Sequence, residues 1–385
     1  MRIHVLAITS FIAVLPALAG RQTVPVVDHR RTAAPEAHWT VGAPCTSVGA
    51  TSDSLPDGLY RTTGATRLGD GTVVVATNVD VSLLFFDQRG NLVARAGGRG
   101  GGPGEFDGPA VFVYRYRGDS VIAHSVGRAA QQFSVFGPNG RFARSFRLAP
   151  RSSANPGLLV GTMFGDGSLV TRVSPGSVAL RPGDPELVRP ESAVVRIYDA
   201  LGAEKWTSRP LPDVVTARGA PEVQRGSGGR VAVRLGSRAP GRVTRWNGIG
   251  STTVAVGTNV LYHFEESSDA LVVYGPDGTE RRRVLLRPLP DSLRPGRGRT
   301  FEIAAAQVLE VLADRAGRAW VEVARPTLET DRRWWVFDEA GRWIAEAITP
   351  AGPRMLELGA DYVLFLKRDA DELERVESCP VVRRG

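Results

Sequence analysis

The chain is built from short apolar runs cut by tight polar turns, and the run-and-turn unit repeats. Gly69-Asp70-Gly71 precedes Val73-Val74-Val75, Gly118-Asp119-Ser120 precedes Val121-Ile122, and Gly165-Asp166-Gly167 precedes Leu169-Val170. The same order returns in Asp314–Gly317 before Trp320–Val323, with weaker copies in Gly250-Ser251 before Thr253–Val256 and Gly359–Asp361 before Tyr362–Leu366. Runs this short, continuous rather than spaced at the helical period, suit strands covered on both faces.

A second phrase lies downstream of the first: an aromatic, a small or acidic residue, two turn residues, then glycine. It reads Phe86–Gly90, Phe136–Gly140, Tyr198–Gly202, Tyr274–Gly278 and Phe337–Gly341. Pro138 and Pro276 pre-set the backbone for the first central position of a turn, and the closing glycine takes positive φ without a steric cost. An apolar run enters each turn and a more polar one leaves it, as in Val81–Phe86 followed by Asn91–Ala96. The phrase predicts a hairpin.

Strand, tight turn, strand, hairpin, strand is the recipe of a propeller blade. The hairpin aromatic falls at 86, 136, 198, 274 and 337, on average about 63 residues apart, so about 365 residues hold six units. The expected fold is all-β: a six-bladed β-propeller of four-stranded antiparallel blades spanning 39–380. Ser174–Pro190 and Pro210–Arg242 read as insertions, and a degenerate unit in the second would make the count seven. Only Ile303–Ala313 has a helical alternative. Each blade buries its faces only against its neighbours, which argues against separate domains.

The ends change the picture of where the chain works. Arg2 is followed by an apolar run from Val5 to Leu18 and by Ala17-Leu18-Ala19, the small-x-small pattern of a signal peptide over 1–19. The run falls short of the ~20 residues that span a bilayer, so cleavage before Gly20 is expected rather than a retained anchor. The mature protein is expected to be exported, periplasmic or extracellular, monomeric, and without an integral membrane segment. Residues 20–38 read as a flexible leader and 381–385 as a tail. The formal charge of +8 does not indicate nucleic acid. Lys205 and Lys367 are the only lysines, and the arginines are scattered rather than gathered on one face.

Cys45 and Cys379 stand near opposite ends of the chain. An even pair in an oxidising compartment invites a disulfide, with two unpaired thiols as the alternative. A ring-shaped fold favours the bridge, because its two termini complete one shared blade. That blade would pair Trp39–Val41 with Val363–Leu366 and Leu373–Val376.

These phrases resemble the six-bladed propeller family related to the NHL repeat, found among secreted bacterial proteins. Gly97–Phe106 is similar to that family's glycine-rich connector between blades. The passage from Asp314 through Trp320, Phe337-Asp338 and Asp361–Leu364 to Leu373–Val376 is similar to its closing blades. The resemblance covers Leu68 to Val376, and Ser174–Arg245 departs from it.

Candidate chemistry is sparse. The glycines of 97–104 lack the Gly-Lys-Ser/Thr ending of a phosphate loop and read as a connector. Asp70, Asp119 and Asp166 recur in turns, where side-chain-to-backbone bonding explains them. Trp320, Trp334, Trp335 and Trp343 read as packing between blades. Some six-bladed propellers are calcium-assisted lactonases or esterases, whose carboxylates and amides gather in the central channel. Asn78, Asp80, Asp269 and Asp361 would be the oxygen ligands of such a Ca2+ site. His263 and Glu265 share one strand side and could ligate a metal together. No nucleophile elbow is present. The expected function is a non-enzymatic module that binds a peptide, glycan or protein partner at one face; a calcium-dependent lactonase or esterase is the alternative.

Overall fold

A computed structural model describes residues 23–49, 59–108, 110–125, 132–149, 158–159, 163–173, 187–217, 222–225, 231–234, 254–265, 268–288, 308–323, 330–369 and 373–384. Three short strands come first: β1 (Val26–Asp28), β2 (His38–Val41) and β3 (Thr46–Val48). The rest gather into antiparallel four-strand sets in chain order. The first set is β4 (Thr62–Arg67), β5 (Val73–Thr77), β6 (Ser82–Phe86) and β7 (Leu92–Gly97). The second is β8 (Val111–Arg115), β9 (Val121–Ser125), β10 (Gln132–Phe136) and β11 (Phe142–Arg147). The third is β12 (Leu158–Leu159), β13 (Leu169–Val173), β14 (Leu187–Tyr198) and β15 (Glu204–Thr207), with β16 (Leu211–Ala217) on the early half of β14. A separate hairpin follows, β17 (Glu222–Arg225) with β18 (Val231–Arg234). The fourth set is β19 (Val254–Val256), β20 (Leu261–Glu265), β21 (Ala270–Tyr274) and β22 (Glu280–Leu285). The fifth is β23 (Val308–Ala313), β24 (Ala319–Val323), β25 (Arg332–Phe337) and β26 (Trp343–Thr349). The last is β27 (Arg354–Leu358), β28 (Tyr362–Arg368) and β29 (Glu374–Arg384), completed by β3.

The apolar runs become the middle strands. β5, β6 and β24 are buried at every position, whereas the fourth strand β7 alternates between exposed and half-buried. Sets pack face to face through clusters of buried side chains, each shared by two neighbours. Phe85, Phe106 and Val113 join the first to the second. Phe133, Leu169 and Tyr198 join the second to the third. Ile197 and Leu261 join the third to the fourth, and Leu271 and Val321 the fourth to the fifth. Trp334 and Phe365 join the fifth to the last, and Leu364 and Val75 join the last back to the first. Four-stranded antiparallel sets packed in sequence and closed on themselves make a β-propeller.

Five hairpins share one geometry. Asp87, Gly137, Asp199, Gly275 and Asp338 each donate their N–H across the turn and accept from the closing glycine. Gly90, Gly140, Gly202, Gly278 and Gly341 all have φ between 76° and 92°. The register shifts by one residue at the phrase's aromatic in every case, which marks a glycine bulge. At Gly202 a Cβ would stand 2.4 Å from the carbonyl oxygen of Arg147 in the neighbouring set. Gly202→Val is therefore expected to cost about 1–3 kcal/mol in urea unfolding, while the exposed neighbour change Leu201→Val should stay within about 0.5 kcal/mol.

The connector 97–106 lies between the first two sets. Gly98 N donates to Val81 O at 3.1 Å, and the Glu105 carboxylate accepts from Gly102 N at 2.8 Å. Phe106 plugs the joint, and a Cβ on Gly97 would reach 2.5 Å from its ring.

Several expectations are corrected. Residues 23–38 are not a loose leader throughout: β1 runs parallel to β22, and His29 is buried with Nε2 2.8 Å from Gly341 O. β2 runs parallel to β26, while its other edge pairs with Val381–Arg384, so the expected tail is strand. An outer strand left alone presents unpaired N–H and C=O groups, and these short segments satisfy them. Closure thus uses Thr46–Val48 against Val376–Ser378, rather than Trp39–Val41 against Val363–Leu366. Cys45 and Cys379 are joined by a disulfide beside this closure. Val308–Ala313 is a strand, because Val308, Val311 and Ala313 enter the core between the fourth and fifth sets. In the fourth set the tight turn is Gly257–Val260, not the copy at Gly250-Ser251, which lies outside the described residues. The signal peptide, most of Ser174–Pro190 and much of Pro210–Arg242 also lie outside them. Leu187–Ala193 and Leu211–Ala217, at the borders of those insertions, pair with each other.

Candidate functional site

Topology gives the propeller two unlike ends. In an antiparallel four-strand set, the first–second and third–fourth connections emerge at one end. The second–third connection and the passage to the next set emerge at the other. The first end carries tight turns: 68–72, 116–120, 257–260, 314–318 and 359–361, and the five glycine hairpins. At the second end the described strands are separated by longer stretches of sequence, such as 98–110 between the first two sets; 126–131, 150–157, 174–186, 289–307 and 324–329, and most of 218–253, lie outside the described residues. Turns of four or five residues bond their own backbone and leave little to recognise a ligand, whereas long connections on a rigid scaffold can vary freely.

Charged and aromatic side chains collect where the strands meet this loop end. The Glu374 carboxylate accepts from Thr62 N at 2.6 Å and from Arg368 at 2.7 Å, tying the last set to the first. Arg354 donates to Thr63 O at 2.9 Å across the same joint. In the fifth set Arg332 pairs with both Glu310 and Glu322, and its guanidinium lies 4.5 Å from the centre of the Trp334 ring. Burial raises the Glu310 carboxyl above the ordinary range, against the pull of Arg332. In the fourth set Glu265 accepts from Ser268 at 2.6 Å and from Arg283 at 2.7 Å, with Arg209 at 3.6 Å. The Ser268 bond, followed by Arg283, holds the Glu265 carboxyl down.

His124 occupies a ladder of rings on the second set, stacked 5.4 Å from Phe112 and 5.1 Å from Phe133. Burial pulls its pKa down to about 4. An unfolded chain would titrate this ring near pH 6.5 and the native one near 4, so the unfolded state binds more protons between those values. Stability is therefore expected to fall as pH drops through that window, by about 1 kcal/mol per pH unit at the steepest. Urea unfolding at pH 7, 6 and 5 measures this, and His124→Phe should flatten the slope.

The sequence candidates are spread over three sets. Asn78 accepts from Val111 N at 3.0 Å and positions the second set against the first. Asp80 pairs with Arg95 on the surface. His263, Glu265 and Asp269 sit on or beside the β20–β21 hairpin, and Asp361 lies in the β27–β28 turn at the opposite end. Among the described residues, only Cys45, Glu377 and Cys379 bring three ligand-type atoms within 4.8 Å, and the two sulfurs are bonded to each other. Asp70 and Asp166 bond within their own turns, accepting from Thr72 N and Ser168 N at 2.8 Å. Asp119 differs: it accepts from Gly69 N of the neighbouring set at 2.8 Å. The four tryptophans of the fifth set are buried in the joints on its two sides. Glu310, Arg332, Arg354 and Glu374 were not singled out by sequence; their shared trait is a position near a strand end facing the loops.

No family model matches the chain, and no curated protein sequence matches it. Solved structures do align. A Bacteroides fragilis protein described as exported aligns at 10% identity and TM-score 0.43, over 94% of this chain and 100% of its own. A gluconolactonase from Xanthomonas campestris aligns at 15% identity and TM-score 0.38, over 88% and 98%. Virginiamycin B lyase from Staphylococcus aureus aligns at 10% identity and TM-score 0.37, over 86% and 83%. Among the described residues no helix is long and apolar enough to cross a membrane.

Proposed function

We propose that the protein is an exported six-bladed propeller that binds a peptide, glycan or protein partner at its loop end without catalysing a reaction. The observation that carries this is the asymmetry of the two ends. The six four-strand sets support a six-bladed ring, and the disulfide supports an oxidising compartment. On the loop end Tyr60 and Val79 expose apolar surface beside one another, with Asn78 N donating to Arg61 O at 3.3 Å. Nearby charges are paired with one another, as a positioning frame requires and an activated nucleophile does not. A calcium-assisted lactonase or esterase is the second reading, favoured by the Glu310 and Glu322 carboxylates gathered at Arg332 near the loop end.

Two assays on the mature protein separate them. Peptide and glycan arrays should reveal a ligand whose binding is lost in Val79→Glu. A panel of lactones and esters with added calcium should show no turnover; turnover abolished by a chelator would refute the binding-only reading.

A further inference from the structure

A pocket of about 180 Å3 opens between the third and fourth sets, away from the loop-end surface around Tyr60 and Val79. Its walls are Trp206 of β15 and Tyr274 of β21, both half-buried, with ring centroids 6.0 Å apart and planes inclined at 44°. The indole comes this close only because residue 278 is glycine: a Cβ there would lie 2.2 Å from the ring. Leu211 and Leu261 add buried apolar surface.

The polar lining is specific. His263 is 4% exposed, and among the described residues none hydrogen-bonds its ring. Burial pulls its pKa to about 4, so at neutral pH the imidazole is uncharged and offers one donor and one acceptor. Glu280 lines the pocket and is already engaged by Arg283, while Arg209, largely exposed, reaches towards Glu265.

This lining discriminates among ligand classes. A charged ligand would have to break the Glu280–Arg283–Glu265–Arg209 pairing. A wholly apolar ligand would leave the buried imidazole unsatisfied, which is costly. The volume is below the ~300 Å3 at which drug-sized pockets begin, so it holds one ring. A neutral ring with an apolar face and a hydroxyl-bearing edge satisfies every group. We propose that this pocket binds a single pyranose, its apolar face on Trp206 and Tyr274 and its hydroxyls on His263 and Glu280.

Saturation-transfer NMR on the mature protein tests this, with the methyl glycosides of glucose, galactose, mannose and N-acetylglucosamine as probes. At least one should bind with a Kd on the order of 1 mM, and saturation should be strongest at its ring C–H protons. Trp206→Ala and His263→Gln should each weaken binding at least ~10-fold while circular dichroism stays unchanged. Should either fail to fold, Glu280→Gln is expected to weaken binding at least ~3-fold. Val79→Glu, at the loop end, should leave glycoside binding intact, which separates this site from the loop-end reading. The proposal is overturned if none of the four glycosides binds, or if binding survives undiminished in the folded variants.

Discussion

Replacing Cys45 and Cys379 together by alanine is expected to lower the unfolding free energy by up to about 5 kcal/mol. The bridge spans 334 residues of sequence, so the reduced unfolded chain regains nearly all the freedom that the cross-link removes. Its location adds to the effect. Cys379 is buried in β29, and Cys45 lies between β2 and β3, the two segments that pair with that strand. Without the bridge, short strands must hold the closing set by backbone pairing alone. Urea unfolding of the oxidised, reduced and doubly substituted proteins measures the loss. Reduced wild type should resemble the variant. Equal midpoints for oxidised and reduced protein would show that strand pairing suffices.

Glu357→Ala should cost about 3–5 kcal/mol, because it breaks a buried pair by removing one partner. Glu357 belongs to β27 of the last set. It accepts from Thr66 Oγ1 at 3.1 Å and from Arg67 N at 2.7 Å in the first set. It also pairs with Arg315, from the turn after β23 in the fifth set, and Arg315 donates to Thr66 at 2.9 Å. One carboxylate thereby connects three sets, and its loss leaves a half-buried guanidinium without its counter-charge and the Arg67 N–H without its acceptor. Glu357→Gln keeps the shape and should lose less. The double variant Glu357→Ala, Arg315→Ala should recover part of the loss, since the stranded charge is gone. Additive losses in that cycle would show that the pair is not coupled.

Local rules made the hairpins legible. The closing glycine must take positive φ at a fixed offset from an aromatic, and Gly90 through Gly341 meet that demand on residue type alone. The fourth set's first turn was misplaced for the complementary reason. Gly257-Thr258-Asn259-Val260 makes its turn with Gly257 N donating to Val260 O, without the Gly-Asp-Gly of its equivalents. β1 was invisible because its partner lies some 250 residues away in the chain and nothing in Val-Val-Asp encodes that distance. Ile303–Ala313 carries enough alanine for a helix, and only burial between two sets decides in favour of a strand from Val308. The candidate site was less legible still. Glu310, Glu357 and Glu374 look like solvated strand ends until folding brings up Arg332 from the same set and, from neighbouring sets, Arg315 and Thr62.

The earliest strands have partners far along the chain: Val26 pairs with Arg283, His38 with Arg384 and Val48 with Val376. During synthesis the sets between can stack as they emerge, but β1 waits for β22, β2 for β26 and then β29, and β3 for β29, the latest of the described strands. Contacts of such sequence separation form late and slowly. A chain made from its N-terminus would thus remain an open arc until β29 can pair with β3 and β28. The latest of the described strands to be made is the one that completes the ring.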